Sequence, residues 1–165
     1  MADSKFVLDA NVFIEAARRY YAFDLAPRFW ESLILHAESG QIRTIDRVKQ
    51  ELERGKDQLA GWAKDNFAQW FDSTDQDEII HAYRNIANWV QNQSRFFDAA
   101  KSEFASSADG WLVAYALVNQ CEVVTHEILA PDAKNRVPLP DVCQKFEVSY
   151  CDTFQMLRNL GVRFS

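Results

Sequence analysis

Basic charge, paired cysteines and long apolar runs are all scarce in this chain. Lys and Arg number 18 against 24 Asp and Glu, a net charge of −6. That balance argues against a sequence-independent polyanion binder, whose affinity comes from many cationic contacts to phosphates. It leaves room for an enzyme that gathers acids at one centre and keeps a local basic rim. The 3 cysteines, Cys121, Cys143 and Cys151, are odd in number. They lack the CxxC spacing of a zinc or redox motif, which predicts reduced, structural thiols. No apolar stretch approaches the ~20 residues of a membrane span, and Asp9 interrupts the only apolar run near Lys5, so no signal peptide is read. A cytoplasmic protein without a membrane partner is expected. Proline is sparse too, and 3 of the 4 lie in "LAPDAKNRVPLPD", read as a surface loop. No linker, repeat or low-complexity run is present.

What remains is a core-building composition: 48% hydrophobic and 13% aromatic residues over 165 positions. This predicts one soluble domain over 1–165. Short β-branched or aromatic runs predict strands at Lys5–Leu8, Gln41–Ile45, Glu122–Thr125 and Lys145–Tyr150. Helical patterns lie between them. One follows Asn11, one is "APRFWESLILHAESG" with Pro27 in its first turn and Gly40 at its end, and one starts near Asp46. A largely helical insert is expected over about 56–105, and "SSADGWLVAYALVNQ" reads as a helix with a Ser cap. Near the C-terminus, Asp152 is placed to cap a short helix and Gly161 to stop it. Strands alternating with helices, and apolar on both sides, predict an α/β fold with a parallel sheet covered on both faces.

Against this background four acids stand out. Asp9 lies at the carboxyl end of the first strand, where open α/β sheets bind ligands. Thr125 and Glu127 reach the same rim if the first and third predicted strands are parallel neighbours. In the helix after Thr44, Val48, Glu51 and Leu52 fall at i, i+3 and i+4, which puts a carboxylate beside the core. Asp109 is in line with Leu112, Val113 and Ala116 on another apolar stripe. Two such carboxylates ~5 Å apart oppose each other by roughly 3 kcal/mol at an effective dielectric of ~20, so the set binds cations or holds protons. Oxygen-only ligation favours Mg²⁺ or Mn²⁺ over zinc. Ions of this kind activate water and stabilise charge in phosphoryl transfer, so phosphodiester hydrolysis is the natural reaction.

A purely local role is open to each residue. Asp9 or Asn11 would cap the helix that follows, and Asn11 would otherwise order the site. Asp109, three residues after Ser106, has capping-box-like spacing and would serve the helix dipole. Glu51 would be a solvated acid among Glu53, Arg54 and Lys56, and Glu127 part of an exposed loop. His36, His81 and His126 are assigned no catalytic part. Trp62, Trp70 and the Phe96–Phe97 pair are expected in the core, although aromatic rings also stack on bases. Arg18, Arg19, Arg43, Arg47, Lys49 and Arg54 are read mostly as solvated surface, with a phosphate track as the functional alternative.

Taken in order, "FVLDANVFIEA", "VKQEL", "SSADGWLVAYA" and "VVTHE" resemble the motifs of PIN-domain nucleases, each in a fitting secondary-structure context. "YYAFDLAPRFW", "GKDQLAGW" and "LPDVCQKF" resemble an uncharacterised prokaryotic PIN-like subgroup. The resemblance implies a three-layer α/β/α fold with a mostly parallel sheet of four to five strands. It also implies Mg²⁺- or Mn²⁺-dependent cleavage of RNA, a homodimer, and often a toxin role opposed by a protein antitoxin, as in VapC-like systems. It assigns Asp9, Glu51 and Asp109 to the metal centre with Glu127 as a fourth acid, supported by Asn11 and Thr125. Many PIN domains carry Asp at the fourth position, so the longer Glu127 is a departure. Two alternatives stand beside it. A haloacid-dehalogenase-like phosphohydrolase would use Asp9 as nucleophile, but that family has D-x-D and position 11 here is Asn. A catalytically inactive PIN-fold binding module is the other, and the four filled acidic positions argue against it.

Overall fold

Successive strand residues point to opposite faces, so a strand buried at every position must be covered on both sides. Phe6, Val7 and Leu8 are each no more than 1% exposed. They form β1 (Phe6–Leu8) in a computed structural model that describes residues 5–164. Beside β1 lie β2 (Ile42–Ile45) and β4 (Glu122–Val124), both parallel to it. The edges are β3 (Phe71–Asp72), next to β2, and β5 (Tyr150–Cys151), next to β4. The sheet is parallel throughout, in the order β3-β2-β1-β4-β5.

Two expectations about strands need correction. β3 lies inside the stretch read as largely helical; two residues flanked by a π-helical turn over Ala63–Phe67 and a 3₁₀ turn over Ala68–Trp70 leave no alternating pattern to detect. The last strand does not occupy Lys145–Tyr150. Helix α8 (Leu139–Lys145) claims the start of that segment, and the chain turns through Glu147 at φ 58° before β5. The proline-rich loop therefore ends at Pro138, which supplies the N-cap of α8, with Pro140 in its first turn.

The other helices are α1 (Ala10–Glu15), α2 (Pro27–Glu38), α3 (Asp46–Arg54), α4 (Gln58–Trp62), α5 (Asp77–Gln91), α6 (Asp98–Ser106), α7 (Asp109–Asn119) and α9 (Thr153–Asn159). Pro27 opens α2, and Gly40 follows its end at φ +84°, a conformation costly for residues with a Cβ. Asp152 caps α9 by accepting the Gln155 N–H at 2.8 Å. Helix α7 is deeply buried: Leu112, Val113, Ala114 and Ala116 are each no more than 1% exposed. It packs on β1, β2 and β4 and against α5. Its second residue, Gly110, lies so close to Tyr83 that a Cβ would fall 2.9 Å from the ring. Tyr83 in turn stacks on Trp111 at 3.8 Å, and the Arg47 guanidinium covers Trp111 at 3.9 Å from its ring centre.

The aromatic expectations hold for Trp70 and Phe96, which are buried, and for Trp62, which packs on the core. Phe97 is different: at 58% exposure it is a surface residue. No helix of the described residues is long and apolar enough to cross a membrane.

Candidate metal centre

Ligands collect where the order of a parallel sheet switches direction. Here the chain leaves β1 toward β2 on one side, while β4 flanks β1 on the other, so the switch point is the crevice beyond Leu8 and Val124. Asp9 lies there, 4% exposed, with its backbone N–H donating to Val124 O at 2.9 Å. It is the N-cap residue of α1, yet its carboxylate makes no cap hydrogen bond. The carboxylate instead accepts from the Thr125 hydroxyl at 2.9 Å.

Thr125 is a junction of fixed polarity. Its Oγ1 also accepts from Asn11 Nδ2 at 3.2 Å and from the Glu127 N–H at 3.1 Å. Both of those groups are donors, so the single hydroxyl proton goes to Asp9. Asn11 completes the link by accepting the His126 N–H at 3.2 Å through Oδ1. It sits inside α1, not at its cap, and ties the helix to the segment after β4. The His126 ring is occupied elsewhere, 2.8 Å from Thr153 Oγ1 and packed beside Tyr20 and Phe154.

Asp109 is the first residue of α7, and Ser107 Oγ accepts its N–H at 3.3 Å. Ser106, the expected partner in a capping box, ends α6 and bonds back to Glu103 O. Glu127 lies in the segment between β4 and α8. One oxygen of its carboxylate accepts from the Leu139 N–H at 3.2 Å and faces Arg136 Nη1 at 3.5 Å.

Asp9, Asp109 and Glu127 converge: each offers an oxygen, and the three lie within 4.8 Å of one another. Glu51 is outside that group. Its Oε1 accepts the Ala108 N–H at 2.9 Å, so it holds the residue from which α7 starts, while its charge still reaches Asp9 and Asp109. The electrostatic consequences follow. Burial first, then the Glu127 charge, push Asp9 up to about 7, against the stabilising Thr125 hydrogen bond. Asp109 is raised well above the carboxylate range by burial and by the charges of Asp9, Glu127 and Glu51. Burial also raises Glu127, with the Leu139 N–H and Arg136 opposing. Behind them the fully buried Cys143 thiol is pushed up to about 12 by burial and the same three acids, so it stays protonated. Cys121, Cys143 and Cys151 are all free.

A hard divalent cation fits this donor set: three carboxylate oxygens, no imidazole among them, and a thiol held in its non-ligating form. A cavity of 250 Å³ opens beside it, lined by Asp109, Glu127, Glu103, Ser107 and Arg136 with Phe104 as an apolar wall. Of the basic residues weighed from the sequence, Arg43 is held by Ala37 O and Asp72, and Arg47 by Trp111 and Thr74. Arg18 borders a smaller cavity that also contains Glu51. Arg136, which sequence inspection passed over, is the cation nearest the converging acids, and nothing in its local pattern marked it.

The fold is a PIN-like α/β fold with a parallel five-stranded sheet in this order. The solved structure of FitAcB from Neisseria gonorrhoeae is similar, with a TM-score of 0.54 over 88% of this chain and 95% of that chain at 18% identity. The chain belongs to the family described as Domain of unknown function (DUF4411), which it matches over residues 6–164. No curated protein sequence matches it.

Proposed function

We propose that the protein is a Mg²⁺- or Mn²⁺-dependent endoribonuclease that hydrolyses RNA phosphodiester bonds, and that it acts as the toxin of a toxin–antitoxin pair. The observation that carries this reading is the convergence of Asp9, Asp109 and Glu127 within 4.8 Å at the switch point. Those three carboxylates hold the cation. When bound, it supplies Lewis acidity, making water acidic enough to attack at neutral pH and offsetting charge that builds on phosphoryl oxygens. Thr125 and Asn11 fix which Asp9 oxygen is free by committing the other to a hydrogen bond. Glu51 adds negative charge and anchors the start of α7. Arg136 and Arg18 supply positive charge beside an otherwise acidic rim, where the RNA backbone passes.

Asn11 favours this reading over a phosphohydrolase with Asp9 as nucleophile. Its amide is committed at both ends, to Thr125 and to the His126 N–H, and offers no second acid for proton transfer. The purified protein with Mg²⁺ or Mn²⁺ is expected to cleave RNA, and Asp109→Asn to fold and be inactive; equal rates for the two would overturn the centre. Expressed alone in a bacterium, the parent is expected to arrest growth where Asp109→Asn does not. Active enzyme without arrest would point to RNA processing instead. A protein antitoxin and a homodimer belong to the same proposal, and light scattering of the purified chain tests the latter.

A further inference from the structure

Glu127 is the one converging acid that neither a strand end nor a helix start positions. Its carboxylate is oriented by two groups from the far end of the following loop, the Leu139 N–H and Arg136. What holds that loop therefore sets where Glu127 points.

The loop is gripped from outside, by Arg95 in the turn between α5 and α6. Arg95 Nε donates to Ala133 O at 2.7 Å, and Nη2 donates to Ala130 O and, at 2.9 Å, to Asp141 Oδ2. Asp141, a buried residue of the first turn of α8, uses its other oxygen to accept the Ala130 N–H at 2.9 Å. Ala130 is thus held through both its N–H and its C=O. A further bond, Phe97 N–H to Lys134 O at 2.9 Å, ties the loop to the same turn. The guanidinium rests on the Phe96 ring, 4.5 Å from its centre, so its plane is fixed as well.

We infer that Arg95 is a positioning residue: its grip on the loop between Glu127 and α8 sets the Glu127 carboxylate for the cation. Only a planar fork reaches two carbonyls and a carboxylate at once, which a lysine ammonium does not reproduce. Outer partners that orient a metal-binding group typically matter by about 10–100-fold in metal affinity. The inference rests on the cation reading of the three acids.

The test is calorimetric titration of the full chain with Mn²⁺, well below the unfolding temperature, for the parent, Arg95→Lys and Arg95→Ala. Near-UV circular dichroism checks that each is folded. Arg95→Lys keeps the positive charge and loses the fork; Arg95→Ala loses both. The expected result is about 10-fold weaker Mn²⁺ binding in Arg95→Lys, and at least as much in Arg95→Ala. A purely electrostatic role gives the opposite pattern, with Arg95→Lys unchanged and Arg95→Ala tighter, because a positive charge has been removed. A purely structural role lowers the melting temperature and leaves Mn²⁺ affinity unchanged. Either pattern, with a parent that binds Mn²⁺, overturns this inference alone. A parent that takes up no Mn²⁺ overturns the cation reading and this inference with it.

Discussion

The two sides of the acidic centre are built differently. Asp9 and Asp109 stand at the end of a central strand and at the start of a deeply buried helix, where the sheet and core fix the backbone. Glu127 stands in a connecting segment, and its carboxylate takes its place from groups nine and twelve residues downstream. The first side is paid for in desolvation: both acids are raised well out of the usual range by burial. The second is held by hydrogen bonds from the following loop, with Arg136 half-exposed beside it. On the proposed reading, the half fixed by sheet and core sets where a cation binds, and the half fixed by loop contacts sets how well it is enclosed.

The sharpest way to break that division is to compare Asp109→Asn with Glu127→Gln. Loss of Asp109 is expected to lower RNA cleavage by more than about 100-fold, beyond the range typical of supporting groups, and loss of Glu127 by about 10-fold. Equal losses, measured as initial rates at saturating Mn²⁺, would erase the distinction. The metal-free melting temperature is expected to rise in Asp109→Asn, because a buried charge that opposes its neighbours has been removed.

Rigidity on the first side is tested next by Gly110→Ala. The added Cβ meets Tyr83 at 2.9 Å and Phe104 at 3.1 Å, atoms of a partly buried ring and of a buried one. A loss of about 1–3 kcal/mol in denaturant unfolding is expected, as for other overpacked cores. An unchanged midpoint would mean that the start of α7 gives way more easily than its burial implies.

The smallest effect expected is on pH dependence. Burial, then the Glu127 charge, push Asp9 up to about 7 in the folded chain, against about 3.9 for a free Asp. A folded value above the unfolded one means that the folded state holds the proton longer, so this contribution is complete below about pH 4 and is lost as pH rises through 7. For a single proton the difference between pH 6 and pH 8 is about 1.4 kcal/mol. The metal-free parent should therefore melt lower at pH 8 than at pH 6 relative to Asp9→Asn, and excess Mg²⁺ should remove the difference.

Three of the four strands read from sequence lie within a residue of those found, because β1, β2 and β4 are central and leave short β-branched or aromatic runs. The edges were not legible. β3 is two residues long, and β5 follows a helix whose start at Pro138 resembles the end of a loop. Glu51 and Asp109 were legible as acids in line with apolar stripes, since burial leaves a periodic trace, and Asp9 and Glu127 as acids just beyond strand ends, while the family resemblance grouped all four. Which of the four converge was not legible. That Glu127 joins Asp9 and Asp109 while Glu51 turns to the Ala108 N–H depends on loop geometry over long sequence separations. The grip of Arg95 on the loop has the same origin: no local pattern links it to residues 35 to 46 positions away.

The stack of Tyr83 on Trp111, at 3.8 Å and 5° from parallel, has an optical consequence. Two aromatic chromophores held face to face couple their transitions, and this pair joins α5 to α7, with Trp111 two residues beyond Asp109. The protein thus carries its own dichroic signal at the root of the acidic centre. Events that tighten or loosen the start of α7 are written into the near-ultraviolet spectrum, with no label attached.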